Sequence, residues 1–400
     1  MNASRLTLNP HQGATPVDTS VFDDPRAQAF HEALPGYEPT ALKSLPALAR
    51  ELEVRAVLVK DESHRFGLPA FKVLGAAYAM FRFIQGERLA AGLPEQSPEA
   101  FLHVGSGASR TFATATDGNH GRAVAWVARQ LGQRAVIFVP GNTVPARIDA
   151  LRSEGAEVVV IEGTYDDTVR AADARASAEG WQIISDTAYP GYMEIPQWIM
   201  AGYGTLFREA DAQVRAAVAQ GPSAVFLQAG VGGMAAAGEA FYLRPSKPQR
   251  PAMICVEPLE ADCLRASADT PDGEPLCDVG PQDSIMAGLN CGTPSLLAWP
   301  LLKHATDAFL AVGDEASREA MRRFDQPLEN DPRVESGESG AAGLAGLLAL
   351  CREPALQPAR ERLRLGPDAV VLLINTEGAT DPVSFAAITA EPPLTHGTVA

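Results

Sequence analysis

Four stretches of this chain place chemically capable residues at the ends of strands and the starts of helices. The first is KDESHRFGLPAFKVLG, residues 60–75. Val54, Val57 and Val59 give the run to Lys60 a strand character, and Ala76 to Phe83 reads as a helix. Gly67 and Pro69 mark the loop between them, which ends at Lys72 among Phe71, Val73 and Leu74. Apolar neighbours desolvate an amine, favour its neutral form and fit it for Schiff-base chemistry. An ordinary surface lysine on a helix is the plainer alternative for this stretch taken alone.

The second stretch is Thr116-Asp117-Gly118-Asn119-His120-Gly121, between a strand and a helix. Its glycines allow a tight turn that exposes backbone amides at a helix start, where an anion such as a carboxylate is received. Asn119 adds a donor suited to a phenolate-like oxygen. A plain strand-to-helix turn accounts for the same residues. The third stretch is Gln228-Ala229-Gly230-Val231-Gly232-Gly233-Met234. A glycine-rich turn opening a helix cradles phosphate through N–H groups and the helix dipole. It matches neither the dinucleotide fingerprint nor a Walker loop, which disfavours dinucleotides and nucleoside triphosphates. In the fourth stretch, Asn375 to Pro382, a hydroxyl follows a strand, where it can meet a heteroaromatic nitrogen without holding it protonated. A further run, Glu335 to Gly340, reads as capping residues before a small-residue helix.

A Schiff-base lysine, a phosphate cradle, an asparagine and a strand-end hydroxyl together fit pyridoxal 5'-phosphate. On these motifs the chain resembles the fold-type II pyridoxal-phosphate enzymes, the group of threonine dehydratase and tryptophan synthase β. Within that group it is similar to the diaminopropionate ammonia-lyases. The carrying stretches, among them KDESHRFGLPAFKVLG, ATDGNHGRAVAW, SDTAYPGY, IPQWIMAGYGTL, QAGVGGMAA, SGESGAAGL and NTEGATDP, run in family order over roughly residues 36–382.

The resemblance implies that Lys72 holds the cofactor and shuttles the α-proton, and that Asn119 lies against the cofactor ring oxygen. By the same resemblance Gly230, Val231, Gly232, Gly233 and Met234 form the phosphate loop, and Thr376 stands near the pyridine nitrogen. Asp117 and Asp186 are the acidic pair on the substrate side. The dehydratases carry Ser or Thr where Asp117 stands; a carboxylate there is a second proton acceptor and attracts a distal ammonium. Asp186 has a structural alternative as the N-cap of a helix over 188–192. His120 is expected to point into helix packing. Pro69, Gly233 and Asn375 depart from the family pattern without removing a group the chemistry needs. The implied activity is elimination of ammonia from 2,3-diaminopropionate to give pyruvate; serine or threonine dehydratase of the same fold is the alternative within the same class, and a catalytically dead ligand-binding protein on this fold is the alternative from another class. A homodimer is also implied.

The elements that must position these residues follow from periodicity. Leu42 to Leu52 looks helical, and residues 86–100 look like a long surface loop. From Thr111 a regular alternation begins: strands at 111–116, 135–139, 157–161 and 181–185, helices at 121–131, 146–154 and 165–179. It resumes with strands at 224–227, 252–256 and 370–374, a helix from Met234 and another over 340–351. Short apolar strands alternating with helices predict parallel sheets covered on both faces. The expected fold is α/β with two doubly wound domains, which the resemblance makes of tryptophan synthase β type. Residues 1–105 and 206–400 form the large cofactor-binding domain, 106–205 the small one, and the site lies between them at the carboxyl ends of the strands.

Composition bounds the rest. The 400 residues hold 46% hydrophobic side chains, enough for a sizeable core. With 33 Lys and Arg against 49 Asp and Glu, the net charge of −16 opposes nucleic acid and anionic membranes as partners. Apolar runs are too short to span a bilayer, and Met1 to Ser20 lack a signal-peptide pattern, so a cytoplasmic protein is expected. Cys255, Cys263, Cys277, Cys291 and Cys351 form no Cys-x-x-Cys and have no histidine at metal-ligand spacing, so no metal is expected. Buried or semi-buried thiols are the expectation, with a Cys263–Cys291 pair left open.

Overall fold

The computed structural model describes residues 3–13, 18–22, 24–102, 109–116, 118–163, 165–244 and 250–394. Asp117 therefore lies outside the described residues. In chain order the strands are β1 (Arg5–Leu8), β2 (Leu42–Ser44), β3 (Ala56–Asp61), β4 (Thr111–Ala115), β5 (Arg134–Pro140) and β6 (Glu157–Ile161). They continue as β7 (Gln182–Ile183), β8 (Ala224–Gln228), β9 (Ala252–Pro258), β10 (Ala308–Val312) and β11 (Val370–Asn375). One sheet has the order β1-β10-β9-β8-β11-β3-β2 and the other β6-β5-β4-β7. The small sheet is parallel throughout. The large one is parallel from β10 to β3, with antiparallel edge strands β1 and β2.

Side-chain alternation explains why these strands read as continuous apolar runs. Val225 and Leu227 of β8 enter one core with Leu372 and Ile374 of β11, whereas Ala224 and Phe226 enter a second core with Val371 and Leu373. Successive residues point to opposite faces, and helices cover both, so every residue of β8, β10 and β11 is buried. The helix Asn119–Gln130 covers one face of the small sheet, and the helix Tyr165–Glu179 packs on β4 and β5 from the other.

Several elements differ from expectation. Leu42 to Leu52 splits into β2 and the helix Pro46–Glu51, because Pro46 disfavours a helical conformation at Leu45, whose N–H instead bonds the Val57 carbonyl at 2.9 Å. The helix Lys72–Ala90 runs on through Gly86, where a glycine costs only about 1 kcal/mol. The expected loop 86–100 thus shrinks to the turn before the short helix Pro98–Phe101. The expected strand at 181–185 forms a ladder only over β7. A long helix, Glu194–Val218, is added. It lies so close to the Lys72–Ala90 helix that a Cβ on Gly75 would sit 2.5 Å from the Tyr203 ring, and one on Gly202 2.5 Å from the Leu74 carbonyl.

Candidate active site

Site residues gather at the carboxyl ends of β3, β8 and β11 in one sheet and of β4 and β7 in the other, the place where open α/β sheets bind ligands. A cavity of about 1010 Å³ opens there, lined by Lys72, Asn119, Asp186, Gly230 to Met234 and Thr376. All the described sequence candidates thus reach one cavity. Among the described residues, no group of three or more His, Cys, Asp or Glu is placed to hold a metal ion.

Lys72 is the first residue of its helix, and the chain before it is tightly held. Phe71 N–H bonds the Thr376 carbonyl at 3.4 Å, Gly378 N–H bonds the Pro69 carbonyl at 2.9 Å, and Ala70 bridges to Glu377. The strand end behind this loop is locked by a buried ionic cluster. Lys60 Nζ donates to Glu209 Oε2 at 2.6 Å and to the Thr40 carbonyl at 2.8 Å. Arg65 donates to both Glu209 oxygens at 2.8 Å and to Glu62 at 2.6 and 2.9 Å. Two cations and two carboxylates buried together neutralise one another, which is what makes their desolvation tolerable. They tie the β3 exit to the Glu194–Val218 helix and so fix where Lys72 emerges.

Lys72 Nζ donates to Asp186 Oδ2 at 2.6 Å and lies 5.5 and 5.9 Å from the ring centroids of Phe71 and Tyr203. Burial pushes the Asp186 carboxyl up, but the Lys72 charge, then His120 and the hydrogen bonds, outweigh burial and hold it well below the ordinary carboxylate range. Asp186 caps no helix, since the chain from 186 to 193 is turn and bridge. His120 packs as expected, with Nε2 2.7 Å from the Ile184 carbonyl, yet its other nitrogen faces Asp186 at 3.9 Å.

The phosphate-loop candidate opens the helix Gly233–Tyr242. Gly232 adopts φ +96°, and a Cβ there would stand 2.6 Å from Leu302 Cδ1. A Cβ on Gly230 would stand 2.8 Å from Cys291 Sγ. The positive φ of Gly232 favours glycine, and a side chain at Gly230 would displace Cys291. Cys263 and Cys291 form no disulfide; Cys263 Sγ lies 3.8 Å from the Gly230 carbonyl, and Cys277 is exposed. An amine opposite a glycine cradle at a helix start, in one cavity with Asn119 and Thr376, is a donor set that fits pyridoxal phosphate.

Thr376 is oriented from behind. Gln228 Nε2 lies 2.7 Å from the Ile374 carbonyl, 3.0 Å from the Gly340 carbonyl and 3.2 Å from Thr376 Oγ1. An amide NH₂ only donates, so the Thr376 hydroxyl accepts there and directs its own hydrogen elsewhere. Asn119 Nδ2 donates to Glu377 Oε2, and the Ser339 N–H donates to Glu377 Oε1 at 3.1 Å. Gln228, Tyr203 and Glu377 all line the cavity and were not signalled by residue type.

The class that this fold and site define is the pyridoxal-phosphate dependent enzyme, and the chain belongs to that family, whose model matches residues 33–377. Within it, the chain is 44% identical to the diaminopropionate ammonia-lyase of Escherichia coli (strain K12) over 356 residues, 89% of this chain and 88% of that protein. The crystal structure of the Escherichia coli diaminopropionate ammonia lyase in complex with D-serine matches at a TM-score of 0.89 with 41% identity, covering 96% of each chain. Its complex with an aminoacrylate-PLP azomethine reaction intermediate matches at 0.87 with 40% identity, again over 96% of each. The fold is thus the expected fold-type II α/β architecture.

Proposed function

We propose that this chain is an ammonia-lyase that converts 2,3-diaminopropionate and water to pyruvate and two molecules of ammonia, using pyridoxal phosphate. The observation that carries this reading is the 44% identity to diaminopropionate ammonia-lyase across 89% of the chain. When bound, the cofactor supplies the electron sink that lets the α-proton leave. The protein supplies position and proton acceptors. The Gly230 to Met234 amides would hold the phosphate, Asn119 would donate to the ring oxygen, and the Thr376 hydroxyl would serve the ring nitrogen. The Lys72 amine would anchor the cofactor and accept the α-proton from its own side. Asp186 accepts from Lys72 and holds it in place, and Asp117, next to Thr116 in the chain, is the second carboxylate of this reading.

The same reading assigns residues 1–105 and 206–400 to a large cofactor-binding domain and 106–205 to a small one. It includes an amino acid substrate, a homodimer and a cytoplasmic location. Among the described residues no helix is long and apolar enough to cross a membrane. The decisive assay is release of pyruvate and ammonia from D- and L-diaminopropionate, serine and threonine. Diaminopropionate should be consumed fastest; faster turnover of serine or threonine would make the chain a dehydratase, and turnover of none would leave a binding protein.

A further inference from the structure

The geometry points to Glu377 as the residue that positions the Asn119 amide, an inference that rests on the cofactor reading above. Glu377 is 1% exposed, yet it belongs to a polar turn and lines the cavity. Each of its oxygens is engaged by a different segment. Asn119, from the small-sheet side, donates to Oε2, and the Ser339 N–H, from the chain before the helix Ala342–Arg352, donates to Oε1. The chain from Gly337 to Gly340 packs closely on Glu377, backbone and side chain. A Cβ on Gly337 would sit 2.8 Å from Glu377 Oε1, and one on Gly340 2.6 Å from the Glu377 carbonyl. The Gly337 N–H bonds that same carbonyl at 3.1 Å. Gly337 leaves room for the Glu377 carboxylate, and Gly340 leaves room for the Glu377 backbone.

The chemical consequence concerns direction. Asn119 Nδ2 and the Ser339 N–H are both donors to Glu377, and a carboxylate, with two acceptor oxygens, satisfies the two together. An asparagine amide presents either an acceptor or a donor to a ligand, and the two choices have opposite effects on an anionic ring oxygen. Bound to Glu377, the nitrogen end of Asn119 is fixed in place. One of its hydrogens is committed, and the other is left for the cavity. Glu377 acts on the cofactor through Asn119 and is a positioning residue, not a catalytic one.

Glu377→Gln keeps the shape and replaces one acceptor with a donor, so either Ser339 N–H or Asn119 Nδ2 meets a donor. The experiment compares wild type, E377Q, E377A, N119A and N119A/E377Q as full chains loaded with pyridoxal phosphate. It measures the cofactor Kd and the pH at which the visible absorption band of bound cofactor changes, with thermal melting to establish folding. E377Q and N119A should each raise Kd by about ten- to a hundredfold, the loss of one charge-assisted hydrogen bond, and should shift the titration alike. The double variant should do no more than N119A alone, since a residue acting through another adds nothing once that partner is gone. E377A carries the same comparison if E377Q melts early. E377Q matching wild type in both measurements, or effects that multiply in the double variant, would overturn the inference alone. A wild-type chain that retains no cofactor would overturn the cofactor assignment and the inference with it.

Discussion

Lys72 Nζ and Asp186 Oδ2 stand 2.6 Å apart, and they come from different sheets. Lys72 follows β3 of the seven-stranded sheet and Asp186 follows β7 of the four-stranded one, so this ion pair joins the two sides of the cavity. Asp186 is held below its ordinary range, which gives the pair a pH signature. A carboxyl depressed on folding stabilises the protein above its unfolded pKa of about 3.9 and loses that contribution as pH falls through the folded value. Stability of the cofactor-free protein should therefore drop below about pH 4, and Asp186→Asn should flatten that drop. An identical acid slope in the variant, read by urea denaturation from pH 6 to 3, would remove Asp186 from the acid response.

Lys72 should carry the cofactor covalently. Borohydride reduction of the loaded protein should fix the pyridoxyl group on the peptide that contains Lys72, and Lys72→Ala should eliminate the visible absorption while leaving the fold intact. A reduced adduct found on another lysine would relocate the anchor.

Gly232 offers a test of the phosphate cradle. Its φ of +96° and the 2.6 Å approach to Leu302 leave no place for a side chain, and Gly232→Asp adds a negative charge where the phosphate is expected. Retention of pyridoxal phosphate on dialysis should collapse while circular dichroism stays close to wild type. Unchanged retention would put the phosphate elsewhere.

What the sequence made legible was local punctuation. Lys72, Asn119, Gly230 to Gly233 and Thr376 each sit at the end of a strand or the start of a helix, marked by glycine, proline or a change of hydrophobic period, and such signals need only neighbouring residues. Glu377 shares its turn with Thr376 but carries no such mark. Its burial depends on Ser339, 38 residues earlier, and on Asn119, 258 residues earlier. The Glu194–Val218 helix was obscured by Pro196, Gly202 and Gly204, residues that break helices in isolation; here Gly202 lets its backbone approach the Lys72–Ala90 helix. β1 is four residues whose pairing partner β10 lies 300 positions away, beyond any periodicity argument.

Glu209 should dominate the stability of the loop that delivers Lys72. It accepts from Lys60 and Arg65, and all three side chains are at most 3% exposed. Glu209→Ala leaves two buried cations with Glu62 as the remaining carboxylate of the cluster, and breaking a buried pair on one side costs about 3–5 kcal/mol. The unfolding midpoint in denaturant should fall accordingly. A loss below about 1 kcal/mol, the scale of an exposed pair, would mean that water enters the cluster.

Asp117 should divide the two enantiomers of the substrate. Once the amine and carboxylate of diaminopropionate are held in place, the D and L forms project the α-hydrogen to opposite sides. Lys72 reaches one side, so the other requires a different acceptor. Asp117 itself lies outside the described residues, but Thr116 and Asn119 on either side of it in the chain line the cavity. Removing a general base costs about 10²–10⁴ in rate. Asp117→Asn keeps the side-chain shape and removes the acceptor, so turnover of D-diaminopropionate should fall by that factor while L-diaminopropionate is affected far less. Equal losses on both enantiomers would assign Asp117 to the distal ammonium instead, a contact both isomers share. Undiminished rates on both would make the residues between β4 and Asn119 a plain strand-to-helix turn.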